Sequence, residues 1–154
     1  MKGFISLFFI AILFVSCSSD DNKNTKPNIV GSWTLTALNA AIPIDLNNDG
    51  TANRNIMNEI PCFEGHGSFT ADGNYLLTLS QVENTETNGV MVFDCMGSIV
   101  NTGKYTLEGD QLTTIPDNPD EATTTTTIYL NNDTLKTSMD AGDFGRIEFV
   151  LRRD

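Results

Sequence analysis

The sequence predicts an all-β fold, an antiparallel up-and-down meander of about eight to nine strands. Turn sequences at 71–74, 108–110 and 131–133 each separate two β-prone segments, which is the signal for consecutive hairpins. The composition is rich in threonine, and no long stretch repeats apolar residues at helical spacing. The 154 residues are enough for one domain with a core and few for two.

Alternating apolar side chains support the individual strands, because successive strand residues point to opposite faces. Further strands are predicted over 90–95, 112–115 and 123–130, and one short helix over 52–60. A sheet of this size tends to close into a barrel, which removes its exposed edges. The predicted apolar faces are Trp33, Leu35 and Ala37; Tyr75, Leu77 and Leu79; Ile99, Gly103, Tyr105 and Leu107; Leu135, Thr137 and Met139; Ile147, Phe149 and Leu151.

The N-terminal segment has the pattern of a secretory signal peptide. Met1 and Lys2 give a positive end, and residues 4–15 are apolar except for Ser6. This run is shorter than the roughly 20 apolar residues that span a bilayer. We therefore expect a signal peptide over 1–16.

The sequence Phe14-Val15-Ser16-Cys17 resembles the lipobox of bacterial lipoproteins, in which the cysteine is lipidated and becomes the first mature residue. Phe14 stands where that motif usually has leucine. The resemblance implies that Cys17 carries acyl chains and that the protein meets a membrane through this anchor. The alternative is an ordinary signal peptide followed by a chance cysteine.

The acidic stretch 18–22 directly after Cys17 resembles the export signal that sends some Gram-negative lipoproteins to the outer face of the outer membrane. The resemblance implies an outer-membrane location with surface exposure, whereas the simpler interpretation is a solvated acidic tether. Residues 17–28 are polar and include Pro27, so we expect a flexible tether there and a folded domain over 29–154.

Gly31-Ser32-Trp33 places a Gly-x-Trp motif at the first predicted strand. Together with the lipobox and the meander, this motif resembles the lipocalin-like lipoproteins of bacteria. The resemblance implies a small barrel with Trp33 at its base, against a basic side chain of the last strand, for which Arg152 and Arg153 are available. No second signature of the Thr-Asp-x-x-Tyr kind is present, and about eight strands enclose room for side chains or for one small ligand.

Two non-enzymatic functions are compatible with these features. In the first, a small apolar or amphipathic molecule binds inside the barrel. In the second, the protein is a structural or accessory surface lipoprotein that contacts an envelope protein or a glycan and holds no internal ligand. The candidate lining residues for the first function are the inward-facing Tyr75, Leu77, Leu79, Tyr105 and Phe149.

Catalysis and nucleic-acid binding are not expected. His66 is the only histidine, and no Gly-x-Ser-x-Gly or Ser-x-x-Lys motif accompanies it. The formal net charge of -11, from 9 basic and 20 acidic residues, would repel a nucleic acid over most of the surface.

The stretch 45–51 resembles the first half of an EF-hand calcium loop. Asp45, Asn47 and Asp49 alternate as oxygen ligands, Gly50 is sixth and Thr51 offers a carbonyl. The twelfth position, where a bidentate glutamate belongs, is isoleucine, and Glu59 comes three residues later. Either the loop binds calcium with a dissociation constant of about 10⁻⁴ to 10⁻³ M, or it is an Asx-rich turn that caps the following helix.

Cys62 and Cys95 remain as a pair once Cys17 is lipidated. The export pathway is oxidising, so a disulfide between them is the natural prediction. Zinc is the rival ligand for a cysteine pair, but the sequence contains no Cys-x-x-Cys.

Overall fold

The structure of the protein, a computed structural model, describes residues 28–142 and 145–154. The predicted signal peptide, the lipidation site Cys17 and all of the tether except Asn28 lie outside the described residues. The described strands are β1 (Gly31–Ile44), β2 (Asn53–Asn55), β3 (Gly65–Phe69), β4 (Asn74–Thr87), β5 (Val90–Glu108), β6 (Gln111–Pro116), β7 (Thr124–Leu130), β8 (Thr134–Asp140) and β9 (Arg146–Arg153), with a 3₁₀ helix at Ile56–Asn58.

Eight of these strands close into an antiparallel barrel. They are neighbours in the order β1, β3, β4, β5, β6, β7, β8 and β9, and β9 pairs back onto β1 from Trp33 opposite Arg153 to Ala40 opposite Ile147. The short β2 adds to the far part of β1, with Asn39 opposite Asn55. The prediction of an all-β, up-and-down barrel is therefore confirmed.

The two ends of the barrel are built differently. At the end that we call the lower end, strands are joined by the tight turns 70–73, 109–110 and 131–133, beside the first residues of β1 and the last of β9. At the opposite, upper end lie the segment 45–64, the β4–β5 turn and the loop 117–123. This asymmetry closes the lower end more tightly.

The hairpin of β4 and β5 is the longest in the fold. Its pairing continues to Thr87 opposite Val90, and the turn residues Asn88 and Gly89 both have positive φ, as a type I′ turn requires. The pairing with β4 continues on both sides of a register shift between Ser80 and Val82, so the two segments predicted as separate strands, 90–95 and 99–107, form a single β5. The upper part of this hairpin, residues 81–97, projects from the barrel as an arm.

A bulge in β1 changes which of its residues face the core. The pairing with β9 shifts between Leu35 and Ala37, so two residues of β1 are taken up where β9 contributes one. Leu38 and Ala40 then continue the buried inner row that begins with Trp33. The prediction that Ala37 shares the face of Trp33 and Leu35 is wrong for this reason.

The predicted helix over 52–60 is present only as the 3₁₀ turn Ile56–Asn58. Asn53–Asn55 pair as β2 instead, and the Asn55 side chain accepts hydrogen bonds from the backbone N–H groups of Leu38 and Met57. Asn55 is thus the N-cap of this turn, so the strand ends at Asn55 and the 3₁₀ turn begins at Ile56. Within 28–142 and 145–154, no helix is long and apolar enough to cross a membrane.

Candidate functional site

The lower end of the barrel is sealed by Trp33 and Arg153. The Trp33 ring is fully buried, and its Nε1–H donates to the Ile29 carbonyl at 2.8 Å. The Arg153 guanidinium lies over this ring. Gly31 has a φ of 136°, and a Cβ atom there would lie 2.5 Å from Arg153 Nη1. The motif glycine therefore makes room for the arginine, while Arg152 points outward and donates to the Thr134 hydroxyl.

The lower half of the barrel is filled by side chains. The Phe69 and Tyr105 rings meet edge to face with centroids 5.1 Å apart. The space above Gly67 is occupied as well. A Cβ atom added to this glycine would lie 3.3 Å from a methyl group of Leu77 and 3.8 Å from a methyl group of Leu151. Tyr75, Leu77 and Tyr105, which the sequence analysis placed around a ligand, belong to this packed cluster.

Apolar side chains on the inner face remain exposed at the upper end. Leu79 and Ile99 face each other across β4 and β5, and they are 37% and 59% exposed. Met139 on β8 is 54% exposed. Phe149, the other predicted lining residue, packs into the second core cluster with Leu38. We define the upper mouth by the exposed inner-face residues Leu79, Ile99 and Met139. Of the five predicted lining residues, Leu79 lies there.

A chain of hydrogen bonds borders the upper mouth. The Tyr75 hydroxyl donates to Asn101 Oδ1 at 2.5 Å, and the Asn101 amide donates to the carboxylate of Glu121. Burial raises the pKa of Tyr75, and the carboxylates of Glu121 and Asp117 raise it further. The phenol is therefore held in its neutral form, in which it donates a hydrogen bond, and the mouth combines apolar side chains with a polar rim.

The loop 45–51 is closed by Asx hydrogen bonds. Asp45 Oδ2 accepts from the Gly50 N–H at 2.9 Å, and Asp49 Oδ1 accepts from the Thr51 N–H at 2.7 Å. Asn47 Oδ1 accepts from the Asp49 N–H at 3.0 Å. In the described parts of the chain, no group of three or more His, Cys, Asp or Glu side chains is arranged to hold a metal ion.

Glu59 is brought next to this loop by the 3₁₀ turn. Its carboxylate is 1% exposed and accepts from the Leu46 N–H at 3.2 Å and from the Asn53 amide. In the sequence Glu59 is the acid nearest the missing twelfth ligand, and the structure places it against Leu46, the second residue of the loop. Both donors to this carboxylate are neutral, a backbone N–H and a side-chain amide, and the two hydrogen bonds hold the loop against Glu59.

The predicted disulfide is present, with Cys62 and Cys95 bonded and their Cα atoms 5.8 Å apart. It connects the segment 45–64 to the hairpin arm, and the Met91 N–H adds a hydrogen bond to the Asn47 carbonyl at 2.8 Å. These two links cover one face of the arm, on which Met91 and Phe93 are half-buried. The prediction of this disulfide is confirmed.

His66 lies exposed on β3. Its Nδ1 is 3.2 Å from the hydroxyl of Thr34, which itself donates to Asp154 Oδ1 at 2.6 Å. The Thr34 hydroxyl therefore links the imidazole of His66 to the carboxylate of Asp154, to which it donates its proton.

Sequence reasoning missed an open groove on the outer wall, over β7, β8 and β9, that contains Tyr129, Lys136, Arg146 and Arg152. These residues come from three strands and are far apart in the chain. The available signal was the alternation of charged residues in β9, where Arg146, Glu148 and Arg152 share one face.

No family model matches the chain, and no curated protein matches it. A solved structure, described as an uncharacterized protein from Bacteroides eggerthii, aligns with 82% of this chain and 100% of its own, at 11% identity and a TM-score of 0.42. The class of protein is thus defined by the chain's own architecture, a closed eight-stranded up-and-down barrel with one added strand.

Proposed function

We propose that this protein is a lipid-anchored lipoprotein of the outer membrane that binds a small apolar or amphipathic molecule at the upper mouth, without catalysis. The observation that carries the proposal is the exposure of Leu79, Ile99 and Met139 on the inner face. Inner-face side chains of a barrel are ordinarily covered, and each Å² of apolar surface removed from water contributes about 25 cal/mol. A ligand that covers these side chains would gain that contribution.

The shape of the barrel gives such a ligand one direction of approach. The lower end is sealed by Trp33 and Arg153, so the ligand's apolar part would lie above the packed lower core. Its polar part would meet the rim, where the Asn101 amide and the Glu121 carboxylate keep a second N–H and further lone pairs besides the hydrogen bond between them. Ligand sites commonly combine an apolar lining with a few placed polar groups.

The position of Asn28 defines where the tether joins the domain. The Asn28 carbonyl accepts from Arg153 Nη2 at 2.5 Å, so the chain joins the domain at the sealed end. An acyl anchor on Cys17 would therefore be attached at that end through the flexible tether, with the upper mouth at the opposite end of the barrel. Labelled palmitate is expected to enter the wild-type protein in its host and not the Cys17→Ala variant. Equal labelling of both would contradict the anchor.

Ligand binding is tested with the fluorescent amphiphile anilinonaphthalene sulfonate and with dodecanoate as a competitor. Ile99 and Val100 are neighbours on β5 with similar exposure, 59% and 57%, but they face opposite sides of the sheet. We expect Ile99→Asp to weaken probe binding about tenfold, because it places a charge against the ligand, and Val100→Asp to leave it unchanged. Absence of wild-type binding, or equal effects of both variants, would contradict the proposal.

The second candidate is an accessory surface lipoprotein that acts through contacts with an envelope protein or a glycan. The packed lower core favours it, because Tyr75, Leu77 and Tyr105 leave that half of the barrel to side chains. Native mass spectrometry of protein purified from its host separates the two candidates. A co-purifying small molecule supports the binding function, and bare protein that also fails to bind the probe supports the accessory one.

A further inference from the structure

The outer-wall groove over β7, β8 and β9 has a volume of about 880 Å³. Tyr129, Lys136 and Arg152 face outward from the barrel, as the pairing of Ile128 with Thr137 and of Leu135 with Leu151 on the inner face requires. The groove is therefore separated from the upper mouth by the wall of the sheet. Its volume is within the range of about 300 to 1,000 Å³ that is typical of small-molecule sites.

The charge of the groove is opposite to that of the protein as a whole. Lys136, Arg146 and Arg152 line it together with the carboxylates of Glu148 and Asp110, so basic groups outnumber acids there. Elsewhere acids dominate, because the chain has 20 acidic and 9 basic residues. A local excess of positive charge on an acidic protein attracts small anions and carboxylates.

The two arginines keep donors available. One ion pair is present in the described part of the chain, between Lys136 Nζ and Glu148 Oε1 at 3.4 Å, and it involves neither arginine. Arg146 Nε donates to the Ser138 hydroxyl at 2.7 Å and Arg152 Nη1 to the Thr134 hydroxyl at 2.7 Å. A guanidinium has five N–H groups, and these hydroxyl contacts orient it while leaving several for a carboxylate.

The cations lie in a row along the groove. Arg146 and Arg152 are on β9 with six residue steps between them, which is a distance of about 20 Å at the rise of a strand. Lys136 lies between them, since it is opposite Val150. An extended ligand with more than one carboxylate matches this row better than a single compact ion does.

An aromatic side chain completes the groove. Tyr129 is 61% exposed and lies opposite Lys136, with the Ser138 hydroxyl on the neighbouring strand. Sugar rings present a C–H face that packs on an aromatic ring, and hydroxyl groups that bond to polar side chains. An exposed tyrosine is a rigid, amphipathic contact for such a ring.

We propose that this groove binds a short carboxylated oligosaccharide, with Tyr129 against a sugar ring and Arg146 and Arg152 on carboxylates. The ligand is short because the protein, with a net charge of -11, repels any part of a polyanion that extends out of the groove over the acidic surface. A ligand inside the groove avoids this repulsion, because acidic groups more than about 8 Å away are screened at physiological salt. This site is independent of the upper mouth, and it does not rest on the function proposed for that mouth.

The test is calorimetric titration of trigalacturonate into the full-length protein. We expect Arg146→Ala and Arg152→Ala each to weaken binding about tenfold or more, the effect of losing a charged hydrogen bond. Tyr129→Ala is expected to weaken binding and Tyr129→Phe to retain it. Glu148→Gln is expected to strengthen binding, because it removes a carboxylate from the groove, and a merely structural role would not produce that gain.

The matched control is Lys104→Ala, which removes one positive charge on β5, outside the groove. It is expected to change the affinity less than twofold, and a loss equal to that of the arginine variants would overturn the site. No binding at millimolar trigalacturonate, or equal binding of the neutral sugar maltotriose, would overturn the proposal. Equal binding of triglutamate would also overturn it, because the ligand class would then not be a saccharide. If an arginine variant does not fold, NMR shift mapping on the wild type decides, with changes expected at Tyr129 and not at Ile99.

Discussion

The guanidinium carbon of Arg153 lies 4.2 Å from the centroid of the Trp33 ring, which joins the last residue of β9 to the first strand. The same side chain donates to the carbonyls of Val30 and Asn132, both at 2.6 Å. Val30 and Arg153 are 123 residues apart in sequence. One side chain thus ties the beginning of the domain to its end and closes the lower end of the barrel.

Replacing Arg153 with alanine is expected to lower the free energy of unfolding by about 2 to 4 kcal/mol, since a cation–π contact and several charged hydrogen bonds are lost. Arg152→Ala, the adjacent residue on the outer face, is expected to cost less than about 1 kcal/mol. Urea unfolding followed by circular dichroism measures both values. Equal losses for the two variants would show that Arg153 has no special part in the closure.

Removing the disulfide is expected to destabilise the protein by about 3 to 4 kcal/mol, because it closes a long loop in the unfolded chain. The sequence separation of Cys62 and Cys95 is 33. Cys62→Ala, Cys95→Ala and the double variant are expected to lose the same amount, since each removes the same bond. Intact mass before and after reduction checks the bond itself, and two alkylatable thiols in the untreated protein would refute it.

Alkaline pH is expected to destabilise the barrel through Tyr75 and Tyr105. Burial raises the pKa of both phenols, with nearby carboxylates adding to the effect. The folded state therefore binds these protons more tightly than the unfolded state. The free energy of unfolding that the two neutral phenols contribute is fully present below their unfolded pKa of about 10, and it is lost as the pH rises through their folded pKa values.

Unfolding free energies measured from pH 8 to 11 test this dependence. Tyr75→Phe is expected to cost about 1 kcal/mol at neutral pH, because Asn101 loses its hydrogen-bond partner, and to flatten part of the alkaline decline. The Tyr129→Phe variant serves as the control, since Tyr129 is exposed on the outer wall. An unchanged decline in Tyr75→Phe would assign the alkaline effect to other groups.

Calcium titration distinguishes the two interpretations of the loop 45–51. If the loop binds calcium with a dissociation constant of about 10⁻³ M, about 5 mM calcium stabilises the fold by about 1 kcal/mol. Asp49→Asn would weaken that effect, and magnesium would not reproduce it. The Asx-turn interpretation expects no heat and no change in melting temperature with either ion, and that result would remove calcium from the description of this loop.

The strand content and the closed barrel followed from local patterns. Period-two alternation in segments such as Tyr75 to Leu79 and Ile147 to Leu151 decides which residues face inward, because each strand carries this information in its own sequence. The hairpin turns are equally local. The disulfide needed only the count of cysteines and the expectation of an oxidising compartment.

Other features depended on which strands become neighbours. The bulge that turns Ala37 away from the core is set by the pairing of β1 with β9. The inward face of Arg153 is given by its alternation with Ile147, Phe149 and Leu151, but its position opposite Trp33 follows from the register of β9 on β1. A shift of two residues would keep Arg153 on the inner face and move it away from Trp33.

The sequence by itself therefore determined the kind of fold, the strand segments and the pairing of Cys62 with Cys95. Only the tertiary structure decided that the lower half of the barrel is packed, that Leu79 and Ile99 stay exposed at the upper mouth, and that a basic groove crosses three strands of the outer wall. Side-chain direction along one strand is a local property of the backbone. Packing, exposure and the grouping of charges depend on contacts between residues that are distant in the chain, and these exist only once the barrel has closed.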